Sequence, residues 1–249
     1  MATNDSGTLP RPQLLDQTVV VIGGSAGIGL ATARCARAAG AQVVLTARNA
    51  ERLEAAAREV HARSTATFDA NDLNGLKEFF EDLSGHIDHV MLTAGGPAYI
   101  PLASMDLDAA RRAFDQRLAT ALGVALFSRG KIRPGGSLLF VGGTGARHPG
   151  VGLTIASTLT AALPALTRNL AVELAPTRVN LVAPGFVDTP LSASLLGDRI
   201  EARRNELRAT LPIGRVVVAD DVAALAVHIM SNGALTGGTY DVDGGQQLL

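Results

Sequence analysis

Short segments rich in β-branched residues, apolar on both faces, alternate with segments of helical periodicity along most of the chain. The segment TVVVIGG (18–24) precedes a helical pattern at 29–40, and AQVVLTA (41–47) precedes another at 49–62. Strands that are apolar on both faces need helices on each side of their sheet, and such sheets are parallel. We therefore predict an α/β fold: a single-domain, Rossmann-type, doubly wound parallel sheet in three α/β/α layers.

The same alternation continues to the end of the chain. Further strands are predicted at 66–68, 89–95, 136–143, 178–184 and 239–245, and further helices at 71–83, 108–130, 155–175 and 219–231. No repeat, linker or low-complexity stretch divides the sequence, so we expect a flexible N-terminal leader over 1–16 and one domain over 17–249. A region of mixed composition at 186–215 is expected to cover the pocket.

Composition excludes several functional classes. The net charge of −1 gives no electrostatic basis for binding nucleic acid or an anionic membrane. No apolar run reaches the ~18 residues that a bilayer span requires, and the first residues lack the basic and apolar regions of a signal peptide. The single cysteine, Cys35, fits a reducing compartment, so we expect a cytoplasmic protein. No cluster of His, Cys, Asp and Glu has metal-ligand spacing, and no metal is predicted.

A glycine-rich turn joins the first predicted strand to the first predicted helix. It contains Gly23, Ser25, Ala26, Gly27, Ile28 and Gly29. Glycines at such a turn let backbone N–H groups approach a pyrophosphate at the N-terminus of the helix. Because the turn lies within a βαβ unit, it indicates a dinucleotide site, with a purely structural turn as the alternative.

The end of the second predicted strand indicates which dinucleotide is bound. An acidic residue there would bind the ribose hydroxyls of NAD(H), but the sequence LTARN places Ala47, Arg48 and Asn49 at this point. The Arg48 guanidinium suits the geometry of a 2′-phosphate, and no neighbouring carboxylate in this segment would repel the phosphate. We therefore expect an NADP(H)-binding domain, with Arg48 as a solvated surface charge as the alternative.

These motifs resemble the short-chain dehydrogenase/reductase family from Thr18 to Gly245. The resemblance implies further cofactor contacts at the matching positions Asp69, Ala70, Ala94, Gly95, Pro184, Gly185, Val187 and Thr189. In the family's pattern Asp69 would contact the adenine, and Thr189 would hydrogen-bond the nicotinamide carboxamide. Pro184, Gly185 and Val187 would line the nicotinamide ring. The closing GGTYDVDGG matches a signature that lies near oligomer interfaces in the family, which implies a homo-oligomer, either a tetramer or a dimer.

The family's catalytic residues are missing from this sequence. The family uses Ser, Tyr and Lys with an Asn on the preceding long helix, and these positions fall on Gly143, Ala156, Thr160 and Arg117. Alanine cannot transfer a proton, and threonine cannot replace the ammonium that lowers the pKa of a phenol. Pro164 lies in the same predicted helix, where its ring clashes with the carbonyl of Thr160, so we expect a kink that reshapes the pocket.

Three residues are candidates to replace the missing groups. Arg117 could stabilise an oxyanion or bind a carboxylate, although it cannot act as an acid; contact with a structural carboxylate or with solvent is the alternative. Thr144 could supply a hydroxyl, or be an ordinary residue at a strand end. His148 could carry a proton, or be an exposed loop histidine. Tyr99 is a more distant candidate, and the remaining histidines are expected to be structural.

Two functions are compatible with these residues. The first is an NADP(H)-dependent oxidoreductase of this family with an atypical active site, acting on a carbonyl, an alcohol or an activated double bond. Water could protonate the carbanion that such a double bond produces. The second is a catalytically silent NADP(H)-binding protein, such as a sensor or a non-catalytic subunit. Across these two functions, the expected partner of the protein is a small-molecule substrate or none. Isomerase or lyase chemistry is a third possibility that no motif favours.

Overall fold

A central parallel sheet organises the part of the chain that the computed structural model describes, residues 13–147 and 149–249. The strands are β1 (Thr18–Ile22), β2 (Gln42–Ala47), β3 (Ser64–Thr67), β4 (Ile87–Leu92), β5 (Ile132–Val141), β6 (Arg178–Pro184), β7 (Val187–Asp188), β8 (Val217–Val218) and β9 (Thr239–Val242). The sheet has the order β3-β2-β1-β4-β5-β6-β9, and β7 pairs separately with β8. Every neighbouring pair is parallel, as the two-faced apolar strands predicted.

Helices cover both faces of this sheet. They are α1 (Gly27–Ala38), α2 (Ala50–Val60), α3 (Leu73–Asp82), α4 (Leu107–Ser128), α5 (Thr154–Glu173), α6 (Pro190–Leu196), α7 (Ile200–Thr210) and α8 (Ala219–Ser231). One buried cluster joins the sheet to α1, α2 and α8, and a second joins it to α3, α4 and α5. The predicted three-layer, doubly wound α/β fold is confirmed.

Strand β1 shows why the sheet is covered on both sides. Val19 and Val21 belong to the core on the α1 side, whereas Val20 and Ile22 belong to the core on the α4 side. All four side chains are 0% exposed, so neither face of the strand meets solvent. Successive strand residues point to opposite faces, which means that a run of apolar residues fills both cores at once.

Strand β5 begins earlier than the sequence predicts. The predicted strand begins at Gly136, after Pro134 and Gly135, which are residues typical of a turn. The structure starts the strand at Ile132, which pairs with Ile87, and the next register pair is His89 with Ser137. A register shift between these pairs accommodates the proline and glycines without ending the strand.

The segments around the sheet add three details. In the predicted leader, residues 13–16 form a turn in which Leu14 is 0% exposed and its N–H donates to the Ala39 carbonyl. Helix α5 continues through Pro164 without interruption. The mixed region at 186–215 contains α6 and α7. Among the described residues, none of the helices is long and apolar enough to cross a bilayer.

Candidate functional site

A cleft of about 530 Å³ runs across the carboxyl ends of the central strands. It begins beside the end of β2, crosses the ends of β1 and β4, and reaches the end of β5; we call its two extremes the β2 end and the β5 end. Strand order reverses between β1 and β4, because the chain returns to the middle of the sheet there. Ligands of open α/β sheets bind in the crevice at this reversal.

The glycine turn between β1 and α1 forms the floor of the cleft. Gly23 has φ +95°, and a Cβ there would lie 2.7 Å from Thr93 Oγ1. A Cβ on Gly29 would lie 2.2 Å from the Gly23 carbonyl oxygen, so neither position can carry a side chain without moving the backbone. The Thr93 hydroxyl lies 3.1 Å from the Ile22 carbonyl oxygen and 3.0 Å from that of Gly23, and it fixes the turn against β4.

The N-terminus of α1 is open to an anion. Ala26 occupies the N-cap and makes no side-chain hydrogen bond to the first turn, and that turn contains no acidic residue. Gly27 has φ +51°, and the nearest atoms to a Cβ there belong to Thr189, at 3.5 Å. The free N–H groups and the helix dipole favour a negative group at this point. The space, donors and charge all fit a pyrophosphate.

Two arginines line the β2 end of the cleft. Arg48 follows β2, and its Nη1 lies 3.7 Å from Asp69 Oδ2, across the end of β3. Asn49 caps α2 by accepting a hydrogen bond of 2.8 Å from the Arg52 N–H, which places Arg52 on the first turn of that helix. Arg52 was not predicted, although its position four residues after Arg48 in a predicted helix is a signal for it. A guanidinium pair beside a helix N-terminus suits a phosphate.

Arg117 lies towards the β5 end. It projects from α4, and its guanidinium lies between the ends of β4 and β5. There Nη1 donates to the Ala94 carbonyl at 3.0 Å, and Nη2 donates to the Val141 carbonyl. A Cβ on Gly95 would lie 2.8 Å from Nη1, so the glycine makes room for the arginine. Burial lowers the pKa of the Arg117 guanidinium. Among the described residues, no carboxylate oxygen lies within the 4.0 Å of an ion pair with Arg117.

The residues predicted to occupy the family's Ser, Tyr and Lys positions are Gly143, Ala156 and Thr160, and none of their described side chains is a free proton donor. A Cβ on Gly143 would lie 3.5 Å from the Thr160 methyl group, so Gly143 and Thr160 are neighbours in the fold. The Thr160 hydroxyl lies 2.9 Å from the Ala156 carbonyl oxygen and 3.0 Å from that of Ser157, and it is therefore occupied within its own helix. Ala156 is 8% exposed and apolar.

Two of the other candidates, Thr144 and Tyr99, do not bring an acid into the cleft. Thr144 is buried, and its N–H donates to the Pro184 carbonyl at 3.1 Å, but it does not line the cleft. Tyr99 also lies outside the lining and is 54% exposed. His148 lies outside the described residues. Among those described, the titratable side chains that line the cleft are Arg48, Arg52, Asp69 and Arg117, and none of these residue types has an ordinary pKa near neutrality.

Most of the predicted cofactor residues meet in this cleft. Every one of them from Gly23 to Gly95 lines it, and so does Thr189. The Thr189 hydroxyl caps α6 by accepting from the Ser192 N–H at 3.3 Å. Pro184, Gly185 and Val187 do not line the cleft. The lining of the cleft therefore gives no evidence for their predicted contact with the nicotinamide ring.

Helices α6 and α7 extend from the wall of the cleft beside Thr189. Leu191 on α6 lies 3.7 Å from where a Cβ on Gly96 would be, so α6 closes against the loop that follows β4. On α7, the Arg204 guanidinium forms a two-pronged ion pair with Asp188, at 2.9 Å from Nε and 2.6 Å from Nη2. This pair fixes α7 to the short strand that precedes Thr189.

Similarity to known proteins extends over nearly the whole chain. Residues 23–247 match the family model described as Enoyl-(Acyl carrier protein) reductase. The chain is 32% identical over 257 residues to Dehydrogenase/reductase SDR family member 4 of Sus scrofa, covering 96% of this chain and 90% of that protein. It is 31% identical over 260 residues to Short-chain dehydrogenase/reductase ATR9 of Stachybotrys chlorohalonatus, covering 95% of this chain and 99% of that protein.

Solved structures share the fold. MalC Reductase/Diels-Alderase from Malbranchea aurantiaca superposes with a TM-score of 0.88 at 28% identity, covering 96% of this chain and 99% of that chain. A small-chain dehydrogenase in complex with NADPH superposes with a TM-score of 0.80 at 27% identity, covering 94% of this chain and 100% of that chain.

Proposed function

Because this chain belongs to the short-chain dehydrogenase/reductase family, we propose that it is an NADP(H)-dependent oxidoreductase whose active site has no general acid. One observation carries this proposal. A single cleft contains the N-terminus of α1, whose first turn has no acidic residue, and two arginines at the β2 end. At its β5 end, the described side chains include no His, Cys, Asp or Glu that could serve as an acid. The NADPH bound to a structural neighbour at 27% identity supports the choice of cofactor.

The residues of the cleft match the parts of the dinucleotide. The turn from Gly23 to Gly29 would hold the pyrophosphate against α1, and Asp69 with Ala70 would contact the adenine. Arg48 and Arg52 would hold the 2′-phosphate, which distinguishes NADP(H) from NAD(H). Asn49, Ala94, Gly95 and Thr189 would complete the site. When bound there, the reduced cofactor supplies a hydride.

The β5 end would give the substrate apolar walls but would not supply a proton from a side chain. Val141, Leu159 and Leu191 give this end apolar walls, and the nearby Thr160 hydroxyl is already bonded within α5. A positioned proton donor contributes roughly 10²–10⁴-fold to a reaction that needs one. The site therefore suits a substrate that accepts a hydride without simultaneous protonation, such as an activated double bond. The matching family model carries the name of an enoyl reductase, which supports this substrate class.

Fluorescence titration and NADPH consumption test the proposal together. NADPH should bind more tightly than NADH, and some member of a panel of carbonyl compounds, imines and enones should oxidise it above the background rate. An inability of the protein to bind NADPH would contradict the proposal outright.

A catalytically silent NADP(H)-binding protein is the second candidate. The feature in its favour is that the positions matched to the family's Ser, Tyr, Lys and Asn carry Gly143, Ala156, Thr160 and Arg117. Such a protein would act as a sensor of the NADPH/NADP⁺ ratio or as a non-catalytic subunit. Tight NADPH binding with no turnover on any member of the panel would favour this candidate over the first.

A further inference from the structure

Arg117 lies in the apolar part of the cleft, and no carboxylate in the described part of the chain forms an ion pair with it. The other ionisable side chains of the described lining, Arg48, Arg52 and Asp69, belong to the β2 end. Around Arg117 the walls come from Val141 and other residues that carry no charge. A desolvated guanidinium attracts an anion more strongly than one in water does. Nothing in the described residues supplies that anion, so a ligand is the natural source.

The Arg117 guanidinium is fixed by two hydrogen bonds that leave some of its N–H groups unused. Its contacts with the carbonyls of Ala94 and Val141 tie it to the ends of β4 and β5, and Gly95 leaves the space that it fills. These contacts use two of the five N–H donors of an arginine. Within the described part of the chain no hydrogen bond occupies the remaining donors, and we infer that they can meet a planar oxygen ligand. Because the two backbone carbonyls fix the side chain before any ligand arrives, little rearrangement is needed on binding.

We propose that Arg117 binds the carbonyl oxygen of a conjugated enone-type substrate and stabilises the enolate oxyanion that forms there. This inference rests on the proposed function, because NADPH is the reductant. The substrate class follows from what the arginine can and cannot do. It can stabilise negative charge on oxygen, but it cannot release a proton.

The electron count of the reduction agrees with this role. The β-carbon gains a hydride, the carbon–carbon π bond breaks, and its electrons form the enolate while the carbonyl π electrons move onto oxygen. Water then protonates the α-carbon and leaves hydroxide, so the substrate is reduced by two electrons and NADPH is oxidised to NADP⁺. A saturated ketone would instead give an alkoxide, a much stronger base that needs a proton at once. A site that contains a cation and no acid is therefore better suited to form an enolate than an alkoxide.

Binding of 4-nitrophenol tests the role of Arg117 without turnover, because its phenolate is an unreactive oxyanion on an sp² carbon. With saturating NADP⁺, we expect the protein to bind the phenolate at least tenfold more tightly than 4-nitroanisole, its neutral analogue. We expect Arg117→Met to lose about tenfold to hundredfold in phenolate affinity with little change for 4-nitroanisole. Arg117→Lys should keep part of the preference as a single point charge.

The control is Arg112→Met, which removes an exposed arginine from the same helix and should change neither affinity. Equal phenolate binding by wild type and Arg117→Met would overturn the proposal. If Arg117→Met does not fold, binding to the wild-type protein is sufficient to test the proposal. Tighter binding of 4-nitroanisole than of the phenolate, or binding of 4-nitrophenol in its neutral form, would also overturn it. A wild-type protein that fails to bind NADPH refutes the proposed function. Intact NADPH binding without a phenolate preference refutes only the role of Arg117.

Discussion

We expect individual side chains at the β2 end to decide which dinucleotide this cleft accepts. Arg48 is largely exposed, and its nearest charged contact is Asp69 at 3.7 Å, a distance at which the pair is weakly held. The guanidinium can therefore turn towards a phosphate at little energetic cost. Arg52 stands on the first turn of α2, where the helix dipole adds to its charge.

The variant Arg48→Ala should weaken NADPH binding by about tenfold to hundredfold, because a charge-assisted contact to the 2′-phosphate is lost. NADH lacks that phosphate, so its affinity should change little. Fluorescence titration of both cofactors measures the difference. Arg58→Ala, which removes an exposed arginine near the end of the same α2 helix, is the matched control and should leave both affinities unchanged. Equal weakening of NADPH and NADH would show that Arg48 does not contact the 2′-phosphate.

The sequence predicts those parts of the site that depend on local backbone. The glycine turn could be predicted because Gly23 and Gly29 follow a strand and open a helix within a few residues. The hydrogen bonds of Thr93 to the turn and of Arg117 to Ala94 and Val141 could not, because they join residues that only the folded sheet brings together. The occupied hydroxyl of Thr160 likewise appears only with the helix built.

At the scale of elements, alternation of apolar strands and helices was sufficient to predict the sheet and its layers. It was insufficient where tertiary contacts override local signals, as in β5, which continues across Pro134 because a bulge absorbs the irregularity. The α6–α7 segment was predicted only as a mixed region. Its short helices depend on a cap at Thr189 and on the ion pair between Arg204 and Asp188, which spans sixteen residues.

Removing the Arg204 side chain tests whether this ion pair fixes α7. In Arg204→Ala, we expect faster limited proteolysis within 190–210 and weaker NADPH binding, because Asp188 immediately precedes Thr189 at the cleft. The thermal midpoint should fall by no more than about 4 °C, since the rest of the core is untouched. Arg208→Ala, which removes an exposed arginine from the same helix, should leave the proteolysis rate unchanged. Unchanged proteolysis in Arg204→Ala would contradict the role of the pair.

His89 ties β4 to β5 and makes stability depend on pH. Its ring nitrogens lie 2.8 Å from Ser137 Oγ and 2.6 Å from Gln17 Oε1, and burial, helped by the charge of Arg178, lowers its pKa to about 3. The unfolded chain takes up a proton near the ordinary pKa of 6.5, whereas the folded chain does not until about 3. His89 should therefore reduce the free energy of unfolding as pH falls through this window.

We expect this contribution to fall by up to about 1.4 kcal/mol per pH unit below the unfolded pKa. Urea denaturation at several pH values measures it. His89→Gln should flatten this part of the profile. His86→Gln, which removes an exposed histidine just before β4 begins at Ile87, should not. A profile of the same slope in wild type and His89→Gln would show that His89 is protonated in the folded protein.

At the scale of the whole molecule, we propose that the protein forms a homo-oligomer. Leu122 and Leu126 lie one turn apart on α4 and are 49% and 62% exposed, and Val172 on the neighbouring α5 is 79% exposed. Helices α4 and α5 contact each other, so we expect these residues to contribute to one exposed apolar surface. A second copy related by a two-fold axis would cover it.

Light scattering on Leu126→Glu tests this oligomer. A charge on the proposed interface should convert the assembly to monomers at micromolar concentration without loss of the folded CD spectrum. Leu107→Glu, which alters an exposed leucine at the opposite end of α4, is the control and should keep the assembly of the wild type. An unchanged mass in Leu126→Glu would place the interface elsewhere, and a monomeric wild type would contradict the homo-oligomer itself.

We propose that a phosphorylated dinucleotide binds beside a hydride-accepting site in which no described residue donates a proton. Single-turnover oxidation of bound NADPH by an enone and by its saturated ketone, each measured between about pH 6 and pH 9, tests it most directly. We predict oxidation by the enone, at least about 10²-fold slower oxidation by the ketone, and no ionisation of the protein in the enone profile. Comparable rates for the two substrates, or a profile that follows a near-neutral pKa, would reveal a proton donor and contradict the claim.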